Sequence, residues 1–208
     1  MLDTLLSRPG SVGGSCLDAL ARGLIRFGVS ANALTGAALA LGLAGAVLFH
    51  VDRPWLALGA LGVSGLFDAV DGRVARLGRG PSPWGGVLDL TSDRVVEAAV
   101  LLGIAWSRPE RHLAALVLAC SWYVNLCVFL AVGAASRAER PGKVIDYPPG
   151  LLERSELLLL VLVVVAAPPA APVAAYVYAA LVLVTAAQRL RYGRRALSGP
   201  RSRGEPPP

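Results

Sequence analysis

Long apolar runs constrain the fold of this chain more than any other feature of its sequence. Of 208 residues, 55% are hydrophobic, and six long apolar runs cover residues 31–50, 55–74, 84–106, 112–136, 151–167 and 173–192. A helix of about 20 residues crosses the roughly 30 Å of hydrocarbon in a bilayer, and each run reaches or approaches that length. The sequence therefore predicts an all-α, polytopic membrane protein with six transmembrane helices.

The residues on either side of these runs divide the chain into three parts. In residues 17–27, apolar side chains recur at helical spacing, while Arg22 and Arg26 fall on other faces, which predicts an amphipathic helix on the membrane surface. The alternative for this part is a short soluble arm. We thus expect an interfacial segment at 1–28, a membrane domain at 29–192 and, because 193–208 is rich in Arg, Gly and Pro, a disordered basic cytoplasmic tail.

The positive charges predict how the chain crosses the membrane. With the amino terminus inside, 16 of the 20 Lys and Arg residues fall on that side, three fall on the other, and Arg94 lies within the third run. Lys and Arg are enriched in cytoplasmic loops, so both termini are expected in the cytoplasm, with the protein in the inner (plasma) membrane. The net charge of +6 fits a basic rim beside anionic lipid, and no aromatic-basic module indicates nucleic acid.

Four aspartates interrupt the second and third apolar runs. Asp68 and Asp71 are three residues apart, and Asp89 and Asp93 are four apart, so each pair lies on one helix face. An ionised carboxylate costs about 2.5 to 3.5 kcal/mol at the bilayer centre, so something must offset it. Four converging carboxylates either take up protons or bind a cation, and oxygen-only ligands suit Mg²⁺ or Mn²⁺.

Small residues and one arginine accompany these carboxylates. Gly72 and Ala75 keep one helix face bare, and Gly85 and Gly86 open the next segment, so a bulky ligand can approach closely. Arg76 offers a planar fork of donors to a phosphate. Together with a metal, these features indicate a diphosphate ligand with its polar head at the membrane.

The pattern Asp68-x2-Asp71-Gly72-x2-Ala75-Arg76-x8-Gly85-x3-Asp89-x3-Asp93 resembles the signature of the CDP-alcohol phosphotransferases, with no position missing. The resemblance implies a metal-dependent membrane enzyme that transfers a phosphatidyl group from CDP-diacylglycerol to the hydroxyl of a small polar alcohol and releases CMP. It also implies a homodimer.

The resemblance further implies roles for individual residues. Asp68, Asp71, Asp89 and Asp93 are expected to bind a pair of Mg²⁺ or Mn²⁺ ions, with Asp93 also acting as the general base. The residues expected to bind the CDP-lipid are Asn32, Thr35, Gly72, Ala75, Arg76, Ser82 and Gly85. By themselves Asn32 and Thr35 are a weak signal, because a polar residue before an apolar run is also an ordinary helix cap.

Blocks in the second half resemble those of bacterial phosphatidylinositol phosphate synthases. They are SRAE at 136–139, GLLERSE at 150–156 and QRL at 188–190. The resemblance makes Arg137, Arg154 and Arg189 candidates for binding a phosphorylated polyol such as inositol phosphate, although each also suits a cytoplasmic anchor. Ala135 and Leu157 replace basic residues of those synthases, and residues 140–149 differ, so glycerol 3-phosphate or another acceptor stays open.

Other classes of function are weighed against the aspartate motif. Helix capping or ion pairing with the neighbouring arginines explains neither the glycines nor the spacing. A cation transporter is disfavoured because the aspartates cluster on one side of the membrane and no internal repeat is present. A scaffold protein without activity is disfavoured by the complete motif.

Overall fold

The structure is a computed structural model that describes residues 12–78, 80–139 and 154–198, and of residues 12–13, 136–139 and 154–156 the backbone alone. In these parts the α-helices are α1 (Val12–Arg26), α2 (Ala31–His50), α3 (Pro54–Leu77), α4 (Pro83–Ser107), α5 (His112–Glu139), α6 (Arg154–Ala166) and α7 (Ala171–Leu197). Two 3₁₀ turns, Pro109–Arg111 and Pro168–Ala170, precede α5 and α7. Every described element is helical, which confirms the all-α prediction.

Within residues 12–78, 80–139 and 154–198, three helical segments are long and apolar enough to cross a bilayer. They are Ala31–His50, Pro109–Ala135 and Pro168–Leu197. Helices α3 and α4 carry the charged residues of the aspartate motif, and the apolar part of α6 covers only Leu157–Ala166. The described part of the chain thus has three long apolar helices, as a membrane protein does, whereas the sequence predicts six spans.

The carboxyl end of α7 corrects one predicted boundary. The helix continues to Leu197, so residues 193–197 are not part of a disordered tail. Gly193 is buried, and a β-carbon placed on it would lie 2.7 Å from a methyl carbon of Val132 on α5, so the end of α7 packs closely against α5. Arg194 and Arg195 favour the last helical turn through its dipole.

Helix α2 packs against both helices that carry the aspartates, α3 and α4. Glycines make the approach close: a β-carbon on Gly45 would lie 2.9 Å from Leu61 of α3, and one on Gly103 of α4 would lie 2.5 Å from the carbonyl oxygen of Ala46. Small residues at such contacts let helix backbones pack without intervening side chains. Helix α2 therefore aligns α3 and α4.

Helix α1 packs against α3 near Val70, Arg73 and Val74. Its Ala21 is fully buried in a cluster with Val70 and Val74. Arg73 donates a hydrogen bond to the carbonyl oxygen of Gly14 at 3.2 Å and forms an ion pair with Asp18. These contacts fix α1 to the segment of α3 that contains Asp68 and Asp71.

Candidate active site

The structure brings three of the four motif aspartates together. Asp68 and Asp71 come from α3 and Asp89 from α4, and one carboxylate oxygen of each lies within 4.8 Å of the others. Asp71 is buried and Asp68 is half-buried. Converging carboxylate oxygens are the donors that hard divalent cations prefer, so these residues fit the predicted metal site.

Thr35 supports this group from α2. Its hydroxyl donates a hydrogen bond of 2.6 Å to Oδ2 of Asp71, and both side chains are buried. The contact holds the Asp71 carboxylate in one orientation. The sequence predicts that Thr35 contacts the nucleotide, and this stays a prediction beside the observed contact with Asp71.

Asp93 lies one turn further along α4. Among the described residues, the group of carboxylates within reach of one cation does not include it. Asp93 instead lines a cavity of about 180 Å³ with mixed polar and apolar walls, together with Glu97 of the same helix, Asn125 of α5 and Arg189 of α7. Its assignment as both metal ligand and general base stays a prediction.

The expected diphosphate clamp lies on α3. Arg76 is exposed, and its guanidinium passes over Gly72, where a β-carbon would lie 3.3 Å from a terminal nitrogen of Arg76. Ala75 is half-buried one position before Arg76. The bare face predicted at Gly72 is thus the face that the Arg76 side chain crosses.

Three more predicted residues meet where α4 begins. Ser82 is the N-cap, and its hydroxyl accepts a hydrogen bond of 3.0 Å from the backbone N–H of Gly85. A β-carbon on Gly85 would lie 3.6 Å from the side-chain oxygen of Asn32, in the first turn of α2. The structure therefore places Asn32, Ser82 and Gly85 side by side.

Of the three predicted acceptor arginines, Arg189 has a described side chain. It is half-buried and lines the cavity that contains Asp93. It donates a hydrogen bond of 3.0 Å to the side-chain oxygen of Asn125, and its guanidinium carbon lies 5.2 Å from the centre of the Phe129 ring. The side chains of Arg137, in the last turns of α5, and Arg154, at the start of α6, lie outside the described residues.

The cavity also contains charged residues that the motif does not include. Glu97 lines it and accepts an ion-pair contact of 2.6 Å from Arg94. Asp89, Asp93 and Glu97 are spaced four residues apart, so they follow one face of α4. That spacing is a sequence signal for Glu97, whereas Asn125 is recognisable only as an amide inside a long apolar run.

An apolar groove of about 570 Å³ between α4 and α5 adjoins the cavity that contains Asp93. The groove and the cavity share Arg94, Glu97, Trp122 and Leu126 as lining residues. From there the groove runs along apolar side chains to Trp106. Polar and apolar binding surfaces thus meet at one place, as an amphiphilic ligand requires.

Comparison with known proteins adds independent information. A model of the CDP-alcohol phosphatidyltransferase family matches residues 28–188. The chain is 33% identical over 184 residues to phosphatidylinositol phosphate synthase of Mycobacterium marinum, covering 82% of this chain and 76% of that protein. It is 32% identical over 134 residues to archaetidylinositol phosphate synthase of Pyrococcus horikoshii, covering 60% and 71%.

Solved structures give the same result. Phosphatidylinositol phosphate synthase of Mycobacterium tuberculosis with CDP-DAG bound superposes with a TM-score of 0.68 and 28% identity over 85% of this chain and 92% of that one. The same enzyme with manganese and citrate gives a TM-score of 0.69 and 28% identity over 86% and 88%. This chain therefore belongs to the CDP-alcohol phosphatidyltransferase family.

Proposed function

We propose that this protein transfers the phosphatidyl group of CDP-diacylglycerol to inositol phosphate and releases CMP, a step of phospholipid biosynthesis. The observation that carries the proposal is the group of three aspartates from α3 and α4, within 4.8 Å of one another, together with Asp93 of α4 in a cavity that Arg189 also lines. The names of the M. marinum and M. tuberculosis relatives support inositol phosphate as the acceptor.

Asp68, Asp71, Asp89 and Asp93 would hold two divalent ions, Mg²⁺ or Mn²⁺. The carboxylate oxygens suit either ion, and the related structure with manganese supports this assignment. These residues would hold the ions where their positive charge could offset that of the CDP-lipid diphosphate and of the departing CMP.

The CDP-lipid lies over the glycine-bearing faces of α3 and α4. Arg76 donates hydrogen bonds to the diphosphate, while Gly72 and Ala75 leave room for it. At the start of α4, Asn32, Ser82 and Gly85 form the neighbouring wall, and Thr35 orients Asp71 as well as contacting the nucleotide. The adjoining apolar groove supports the binding of a lipid in this region.

The remaining residues serve the acceptor. Arg189, with Arg137 and Arg154, binds its phosphate, and Asp93 takes the proton of the attacking hydroxyl. That oxygen forms a bond to the phosphorus carrying diacylglycerol, the bond from this phosphorus to the bridging oxygen breaks, and CMP leaves. A general base of this kind contributes about 10²- to 10⁴-fold, and positioning of the reactants contributes further.

In the membrane, α2 to α7 form six spans in the inner (plasma) membrane, α1 lies on the cytoplasmic surface and the aspartates face the cytoplasm. The domain at 29–192 then continues to Leu197, followed by a basic tail. The functional unit is a homodimer. The excess of Lys and Arg on one side supports this orientation. A test would fuse to the carboxyl terminus a reporter enzyme that is active only outside the cytoplasm.

A panel of acceptors tests the substrate assignment. Purified enzyme with CDP-diacylglycerol and Mn²⁺ or Mg²⁺ is given inositol phosphate, glycerol 3-phosphate, serine or free inositol, and the lipid product is identified by mass. Among these acceptors, we expect a lipid product only with inositol phosphate. Product with glycerol 3-phosphate instead would keep the family chemistry and overturn the acceptor.

A further inference from the structure

Asn125 is an amide in the middle of the apolar helix α5, and its side-chain oxygen accepts a hydrogen bond from Arg189 at 3.0 Å. Phe129, one turn further along α5, covers the guanidinium at 5.2 Å. Polar groups inside membrane helices are rare and are kept for function or for pairing with another polar group. This pair is a charge-assisted hydrogen bond at the wall of the cavity that contains Asp93.

Contacts on both sides hold the two helices in register at this point. Before Asn125, Trp122 of α5 meets Tyr178 of α7 edge to face, with ring centres 6.2 Å apart. After it, Gly193 of α7 approaches Val132 so closely that a β-carbon would lie 2.7 Å from a methyl carbon. Because α5 and α7 are fixed at both places, the amide and the guanidinium keep their separation.

The partner of Arg189 on α5 is neutral, which has an electrostatic consequence. An acidic residue at position 125 would add a negative charge beside the guanidinium, whereas an amide orients the guanidinium without adding one. The ring of Phe129 likewise attracts the cation without neutralising it. The arrangement is suited to aiming a cation at an anion.

We propose that Asn125 is a positioning residue that, together with Phe129, holds Arg189 at the phosphate of the acceptor. Asn125 thereby favours phosphorylated acceptors over neutral ones through its effect on Arg189. The inference rests on the proposed function, because it takes the ligand of Arg189 to be the acceptor phosphate.

The test compares Asn125→Leu, which keeps the volume and removes the oxygen, with the unmodified enzyme. A lost hydrogen bond to a charged group should raise the KM for inositol phosphate about tenfold, with the KM for CDP-diacylglycerol and the Tm unchanged. Asn125→Gln restores an acceptor oxygen and should recover part of the affinity. Ser121→Ala is the matched control, since this buried hydroxyl one turn earlier bonds to the carbonyl oxygen of Leu118 at 2.7 Å.

A double variant shows whether Asn125 acts through Arg189. Asn125→Leu combined with Arg189→Gln should raise the acceptor KM no further than Arg189→Gln alone, since coupled residues are not additive. The inference would be overturned if Asn125→Leu raised the KM for inositol phosphate and the KM for CDP-diacylglycerol equally, or left the KM for inositol phosphate unchanged. It would also be overturned if the effects of the two substitutions on that KM multiplied in the double variant. Failure of the unmodified enzyme to use inositol phosphate would overturn the proposed function itself, and this inference with it.

Discussion

The hydroxyl of Thr35 on α2 donates a hydrogen bond to Oδ2 of Asp71 on α3, with 2.6 Å between the two oxygens. Both residues are buried, and Asp71 is one of three carboxylates that converge from α3 and α4. A helix without carboxylates therefore orients a candidate metal ligand on its neighbour. Removing such a supporting contact typically lowers metal affinity or activity by about 10- to 100-fold.

Thr35→Val removes this hydroxyl and keeps the shape of the side chain. We expect the Mn²⁺ concentration that gives half-maximal CMP release to rise at least about tenfold, because Asp71 loses its fixed orientation. Thr35→Ser, which keeps the hydroxyl, is the control and should stay near the parent value. An unchanged Mn²⁺ dependence in the valine variant would show that the contact does not serve the metal site.

Asp89→Asn tests the contribution of α4 to the carboxylate group. Replacing a carboxylate by an amide should weaken Mn²⁺ binding, measured from the electron paramagnetic resonance signal of the free ion. Removal of the metal by a chelator should abolish activity in the parent enzyme. Asp52→Asn is a suitable control, because this exposed residue lies between α2 and α3 at φ 58°, which asparagine tolerates. Equal Mn²⁺ binding by both variants would contradict the assignment of Asp89.

Much of this site is predictable from sequence because its ligands come from short segments. The spacing of Asp68, Asp71 and Asp89 places each carboxylate on a helix face, and two facing helices then bring them together. The role of Thr35 toward Asp71 and that of Asn125 toward Arg189 depend on which helices are neighbours. Spacing within one helix contains no such information.

The ends of α2 and α7 show the same difference between information within one segment and contacts between helices. Residues 31–50 are predicted as one helix and form α2, since the segment itself is apolar and the Ser30 cap directly precedes it. The helical turn after Tyr192 is not predicted, because its composition is that of a tail, and the close packing of Gly193 on Val132 involves another helix.

Arg73→Gln should loosen α1 from α3. The parent arginine is buried, hydrogen-bonded to the carbonyl oxygen of Gly14 and paired with Asp18, so its loss should destabilise the fold by roughly 1 to 3 kcal/mol. Thermal unfolding in detergent measures the effect, with the exposed Arg22→Gln on α1 as the control. If both variants have the same Tm as the parent protein, the pair of Arg73 and Asp18 contributes nothing to stability.

Gly103→Ala should disturb the packing of α4 on α2. The new β-carbon would lie 2.5 Å from the carbonyl oxygen of Ala46, and relieving such a clash typically costs about 1 to 3 kcal/mol. Gly59→Ala on α3 is the matched control, since a β-carbon there meets nothing within 4 Å and alanine favours a helix. A Tm that falls in the Gly59 variant alone would reverse this account of the packing.

The most direct test of the proposed function is CMP release from CDP-diacylglycerol by the purified protein with Mn²⁺, in the presence and absence of inositol phosphate. We predict release that requires both the acceptor and the metal, and a rate at least about 100-fold lower in Asp93→Asn, because the acceptor hydroxyl then lacks its base. Release at the parent rate by Asp93→Asn, or no acceptor-dependent release by the parent enzyme, would contradict the account.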